Sequence, residues 1–179
     1  MKSKLVNLLT ISRVFLAFII FILILFFENY SSALILFFVA GISDYLDGFL
    51  ARKYKVESNL GEILDPTADK ILIVFLFFAL AIKLDSFLIG IAGSIIVSRE
   101  IWISALRDFN SRNNNIDATK VIFISKFKTS LQLLSIFMYL FALTINNMLM
   151  IIITDVILII SMLITIYTGY IYTLNSFKE

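Results

Sequence analysis

Six apolar stretches, broken only by short polar segments, make up most of this chain. They run from about Leu5 to Phe27, Ala33 to Arg52, Pro66 to Ile82, Phe87 to Arg107, Phe127 to Ile145 and Leu149 to Leu174. A helix needs about 20 residues to cross hydrocarbon. Backbone placed in lipid must satisfy its own hydrogen bonds, so such runs predict helices. Only 16% of the residues are charged and 60% are hydrophobic, against about 25% charged in a soluble domain. The expected fold is therefore an all-α integral membrane protein with six transmembrane helices, forming a single domain over residues 1–179.

The charges then set the orientation. Six spans put both termini on one side. Lys2, Lys4, Arg52, Lys53, Lys55, Arg107, Arg112, Lys120, Lys126, Lys128 and Lys178 all fall on that side, and only Lys83 falls on the other. Basic residues stay cytoplasmic, so both termini are expected to face the cytoplasm. Lys2 and Lys4 before an apolar run resemble a signal peptide. The run is too long for one and no small-residue cleavage site follows, so it reads as a retained span.

The chain has no cysteine and no histidine. Disulfides, thiolate sites and imidazole bases are excluded. A metal would have to be bound by oxygen, which favours Mg²⁺, Mn²⁺ or Ca²⁺ over Zn²⁺. Net charge of +2 gives no argument for nucleic acid.

Against this background, residues 43–70 stand out. Asp44, Asp47, Asp65 and Asp69 lie between apolar runs. At about 100° per residue, Asp44, Asp47, Gly48 and Ala51 share one face of the second helix, and Arg52 adjoins it. Asp65 and Asp69, four apart, share a face of the third. The short connection, with Gly61 offering a bend, can bring the two pairs together. Each residue also has a plainer reading. Asp65 before Pro66 has the form of a helix N-cap. Asp44 and Asp47 suit an interface, and Gly48 and Ala51 suit helix packing. Jointly these readings weaken, because each intramembrane carboxylate costs about 2.5–3.5 kcal/mol at the centre and neighbouring carboxylates repel. Divalent cations would relieve both costs.

The pattern D-x2-D-G-x2-A-R-x8-G-x3-D-x3-D, carried by Asp44, Asp47, Gly48, Ala51, Arg52, Gly61, Asp65 and Asp69, resembles the signature of the CDP-alcohol phosphotransferases. The six-span layout is similar too, so the resemblance covers nearly the whole chain. It implies the CDP-alcohol phosphotransferase fold and a transfer in which an alcohol attacks a CDP-linked donor and CMP leaves. It also implies that Asp44, Asp47, Asp65 and Asp69 bind two Mg²⁺ ions (or Mn²⁺), with Asp69 also the general base. Gly48, Ala51, Arg52 and Gly61 would face the nucleotide. A homodimer in the cell inner membrane, with the site opening to the cytoplasm, is a further implication.

The flanking segments bear on the substrates. Asn7, Thr10 and Arg13 recur every three residues on the first helix. Alone they read as a polar entry turn with a snorkelling arginine. By resemblance to the branch that forms phosphatidylglycerophosphate they join the nucleotide side, although Val6 replaces a proline usual there. Arg99 lies about two turns inside the fourth helix, where an unpaired charge is costly. With Lys126, and with Arg107 and Lys128 behind them, it resembles the basic pocket for the acceptor phosphate, with Ser125 in place of a glycine. Basic helix ends are otherwise common topology signals. In that branch the donor is CDP-diacylglycerol, a membrane lipid, and the acceptor is glycerol 3-phosphate.

Three other readings remain. A sibling transferase would use the same aspartates with phosphatidylglycerol, inositol phosphate or serine as acceptor. A cation transporter would need carboxylates reachable from both sides, whereas here they gather at one end and the outer halves read as apolar. A non-catalytic scaffold gives no reason for so many carboxylates. Asp155 reads as interfacial, and Trp102 and the many phenylalanines read as lipid-facing or packing residues.

Overall fold

The structure, a computed structural model, describes residues 2–54, 59–113 and 123–177, with side chains for 10–44, 46, 64, 67–113, 124–125 and 127–177. The described residues form six helices: α1 (Lys2–Leu25), α2 (Tyr30–Tyr54), α3 (Asn59–Lys83), α4 (Phe87–Arg112), α5 (Phe123–Ile145) and α6 (Met148–Ser176). Three of them, α4, residues Phe127–Ile145 of α5, and α6, are long and apolar enough to cross a membrane. Thr10–Leu25 and Tyr30–Asp44 are shorter apolar segments. Large apolar side chains such as Phe15, Phe26, Phe87 and Met148 are exposed around the bundle. Apolar surface on this scale suits lipid, not water, and the protein is a membrane protein.

Three turns join the helices in antiparallel pairs, and all three use the same device. Each has a residue with positive φ, namely Glu28 (50°), Asp85 (46°) and Asn146 (52°). Such a left-handed residue ends a helix and lets the next amide reach back to orphaned carbonyls. Thus the Asn29, Ser86 and Asn147 amides donate to the Leu23, Ala81 and Ala142 carbonyls at 3.0 Å each. The same three residues then cap the following helix. Asn29 Oδ1 accepts from the Ser32 amide, Ser86 Oγ from Ile89, and Asn147 Oδ1 from Leu149 and Met150. Glu28 and Lys83 add an ion pair of 2.7 Å between the first two turns.

Packing follows from the buried stripes. Thr10, Arg13, Ala17, Ile20 and Ile24 form one buried line on α1, and α1 packs against both α2 and α3. The α3 helix also packs on α4, α4 on α6, α6 on α5, and α5 on α2. The interior line of α6 is polar: Thr154, Ser161, Thr165 and Thr168 are all buried. Small hydroxylated residues let membrane helices approach closely, and three of these hydroxyls donate to carbonyls of their own helix.

Helix bounds differ from the apolar runs in one place that matters. The α3 helix begins at Asn59, not at Pro66. Asp65 is therefore inside a helix and is not its N-cap. Pro66 lacks the N–H that would bond back one turn, yet the helix runs through it while packed against α1 and α4. In consequence Asp65 and Asp69 sit one turn apart on continuous helix. The α4 helix likewise extends to Arg112, past the start of the expected polar loop.

Candidate active site

Three helices contribute to one charged cluster at the end of the bundle away from the three tight turns. Arg13 of α1 is buried, with 1% of its side chain exposed. Its Nη1 lies 3.0 Å from Oδ1 of Asp44 on α2 and donates to Oδ1 of Asp69 on α3 at 2.6 Å. The two carboxylates are half exposed, at 54% and 49%. Burial of the cation and exposure of the anions give the cluster a direction: it opens through the carboxylates. The α1 helix, packed against both α2 and α3, is thus what brings Asp44 and Asp69 to a common point. The apolar runs and the aspartate spacing gave no sign of this role for Arg13.

The donor set is carboxylate oxygen, which suits a hard divalent cation. Asp44 and Asp69 already converge on one cationic group, so the residues present fit such an ion. Among the described residues no group of three or more acidic side chains is assembled. The side chains of Asp47 and Asp65 lie outside the described residues. So do the side chains of Asn7, Ala51, Arg52 and Lys126, and the surroundings of Gly48 and Gly61. Thr10 is fully buried one turn before Arg13, on the same face.

A second cluster lies between α4, α5 and α6. Glu100 Oε1 accepts from Arg99 Nη1 at 3.1 Å and also from Lys128 Nζ. Arg99 is 9% exposed and Lys128 3%, while Glu100 is 24% exposed. Arg99 Nη2 donates to Thr168 Oγ1 at 3.1 Å, and its guanidinium carbon stands 5.4 Å from the centre of the Tyr172 ring. The Tyr172 hydroxyl pairs with Ser125 Oγ at 2.9 Å. Gly169 lets α6 lie close against the Arg99 stem, since a Cβ there would come within 3.1 Å of Arg99 Cγ. Arg107, by contrast, is exposed one helical stretch further along α4.

Lys70, next to Asp69, donates to Ser104 Oγ, and Ser104 donates to the Glu100 carbonyl at 2.9 Å. This contact ties α3 to α4 between the two clusters. Thr168, Gly169 and Tyr172 are site neighbours that no sequence motif marked. The only signal available was the interior line of hydroxyls on α6. Asp155 has a partner inside the bundle: it accepts from the Tyr139 hydroxyl at 2.5 Å, so it is a link between α5 and α6 and not a bare interfacial residue. A groove of about 820 Å³ lies between α3 and α4, lined by Phe77, Phe78, Phe87 and Gly90 among others. It reaches the Asp85–Ser86 turn and includes neither charged cluster.

The chain is similar to proteins named CDP-diacylglycerol–glycerol-3-phosphate 3-phosphatidyltransferase in several bacteria. Identity to that of Haemophilus influenzae is 38% over 140 residues, covering 76% of this chain and 75% of that protein. For Blochmanniella floridana it is 35% over 144 residues, covering 79% and 74%. For Escherichia coli it is 32% over 139 residues, covering 76% of each. The sequence profile of the CDP-alcohol phosphatidyltransferases matches residues 4–167. The aspartates of residues 44–69 thus lie within a match that spans nearly the whole chain, and the chain belongs to the CDP-alcohol phosphatidyltransferase family.

Proposed function

We propose that this protein transfers the phosphatidyl group of CDP-diacylglycerol to the sn-1 hydroxyl of glycerol 3-phosphate, forming phosphatidylglycerophosphate and CMP. The observation that carries this reading is the convergence of Asp44 and Asp69 on Arg13 from three helices, in a chain similar to proteins named CDP-diacylglycerol–glycerol-3-phosphate 3-phosphatidyltransferase. Asp69 accepts the proton of the acceptor hydroxyl, whose oxygen then attacks the phosphorus that carries diacylglycerol. The bond to CMP breaks and CMP leaves. Transfer of this kind depends mainly on positioning and charge neutralisation. Asp44, Asp47, Asp65 and Asp69 would hold two Mg²⁺ ions, whose part when bound is to neutralise the pyrophosphate. Arg13, buried behind Asp44 and Asp69, fixes their orientation. Asn7, Thr10, Gly48, Ala51, Arg52 and Gly61 border the nucleotide. Arg99 and Lys128, with Lys126 and Arg107, receive the acceptor phosphate.

In this reading all six helices cross the inner membrane, and both termini and the site face the cytoplasm. Support comes from the basic residues clustered at one end and from the exposed apolar side chains on every helix. Residues 1–179 act as one catalytic domain, and two copies form a homodimer, as the family resemblance implies.

The test is direct. Purified protein is incubated with CDP-diacylglycerol, Mg²⁺ and a panel of alcohols, and CMP is followed with and without a chelator. CMP with glycerol 3-phosphate alone, lost on chelation, is the expected result. Release with serine, inositol phosphate or phosphatidylglycerol instead would assign a sibling acceptor. Mg²⁺ uptake into proteoliposomes without any CDP-lipid would favour a transporter.

A further inference from the structure

We infer that Glu100 is a built-in stand-in for the acceptor phosphate: its carboxylate occupies the anion seat between Arg99 and Lys128 and must yield that seat when substrate binds. The inference rests on the reading of Arg99 and Lys128 as acceptor ligands. Three observations carry it. One oxygen of Glu100 accepts from both cations at once, which is the position an oxygen of a phosphate would take between them. Lys128 is buried and Arg99 nearly so, whereas Glu100 is the most exposed of the three. It therefore lies on the mouth side and can move without leaving the protein. Arg99 Nε is buried and has no hydrogen-bond partner among the described residues, although buried donors are nearly always paired. A phosphate carries more charge and more acceptor oxygens than a carboxylate, so it can compete for this seat.

The remaining contacts keep the seat in place while Glu100 moves. Thr168 accepts from Arg99 Nη2, the Tyr172 ring lies beside the guanidinium, and Gly169 leaves room for its stem. None of these depends on Glu100. The cations are thus shielded from an empty, repulsive state between turnovers. Only an anion that satisfies more donors than a carboxylate displaces the internal one. Glu100 would then set a threshold against weak anions, and so contribute to selection of a phosphorylated acceptor.

The experiment compares Glu100→Gln, Glu100→Asp and Arg99→Ala with the unaltered protein. KM for glycerol 3-phosphate, KM for CDP-diacylglycerol and inhibition by inorganic phosphate are measured for each. Removing the competing charge at Glu100→Gln should lower the acceptor KM about threefold to tenfold and strengthen phosphate inhibition by a similar factor, given one screened unit charge at contact range. The donor KM should not move. Glu100→Asp, whose shorter arm withdraws from the seat, should shift both values in the same direction by less. A raised acceptor KM in both variants, with Arg99→Ala also raising it, would overturn the inference and make Glu100 a positioning residue. Unchanged acceptor KM in Arg99→Ala would instead overturn the reading of the pocket itself.

Discussion

The two charged clusters are inverses of each other. Among the described residues, one buried cation, Arg13, meets two half-exposed carboxylates. Around Glu100, one partly exposed carboxylate meets a buried lysine and a nearly buried arginine. In each, the minority charge compensates the majority only in part, and the side left open shows the majority's sign or admits its counter-ion. The first cluster attracts further cations and the second attracts a further anion. A transferase that takes a CDP-linked donor and a phosphorylated alcohol needs both kinds of site. Lys70, tied to Ser104 on α4, sets them side by side.

Substitutions can break that contrast. The largest effect is expected at Asp69→Asn, which removes the proposed base and should lower kcat at least about 10³-fold while the protein stays folded; near-normal CMP release would refute the assignment. Next is Arg13→Met. Leaving two carboxylates without their buried cation should lower activity roughly 10²-fold and also lower thermal stability, since breaking a buried pair is strongly destabilising. Higher Mg²⁺ should restore part of the activity if the carboxylates form the metal site. Arg99→Ala should leave kcat close to normal and raise the acceptor KM roughly 10- to 100-fold, as expected for a lost charge-assisted hydrogen bond. Gly169→Ala pushes on the Arg99 stem at 3.1 Å and should raise the same KM about threefold. Smallest is Tyr139→Phe, which lies in neither cluster. Its loss of the Asp155 bond should cost about 0.6 kcal/mol of stability, measured by unfolding in detergent, with kinetics unchanged.

How far the sequence could take the reader differs between these clusters for a physical reason. Asp44 and Asp69, which meet at Arg13, stand out in the sequence because carboxylates are costly in lipid; the side chains of Asp47 and Asp65 lie outside the described residues. The pairing of Arg13 with Asp44 and Asp69 was not legible, because nothing in N-x2-T-x2-R tells which helices α1 will touch. Only the packing of α1 against both α2 and α3 turns it toward Asp44 and Asp69. The N-cap reading of Asp65 failed because a local signal, aspartate before proline, gave way to tertiary packing that extends α3 back to Asn59. The second cluster was half legible. Arg99 was singled out by its depth, and Lys128 by its sign. Thr168, Gly169 and Tyr172 were invisible, since a threonine, a glycine and a tyrosine on an apolar helix are ordinary packing residues until their neighbour is known.

The three tight turns have a consequence for how the chain is made. Between paired helices the polypeptide has only Phe26 to Asn29, Leu84 to Ser86, or Asn146 and Asn147. With so little chain, neither helix of a pair can settle across a bilayer while the other waits outside it. In the proposed topology, in which all six helices span, the bundle would then insert in three steps, each delivering a hairpin. Because Arg13, Asp44 and Asp69 belong to the first two hairpins, their cluster can close before α5 and α6 leave the ribosome. The seat around Glu100 draws on α4, α5 and α6, and is complete only when the last hairpin arrives.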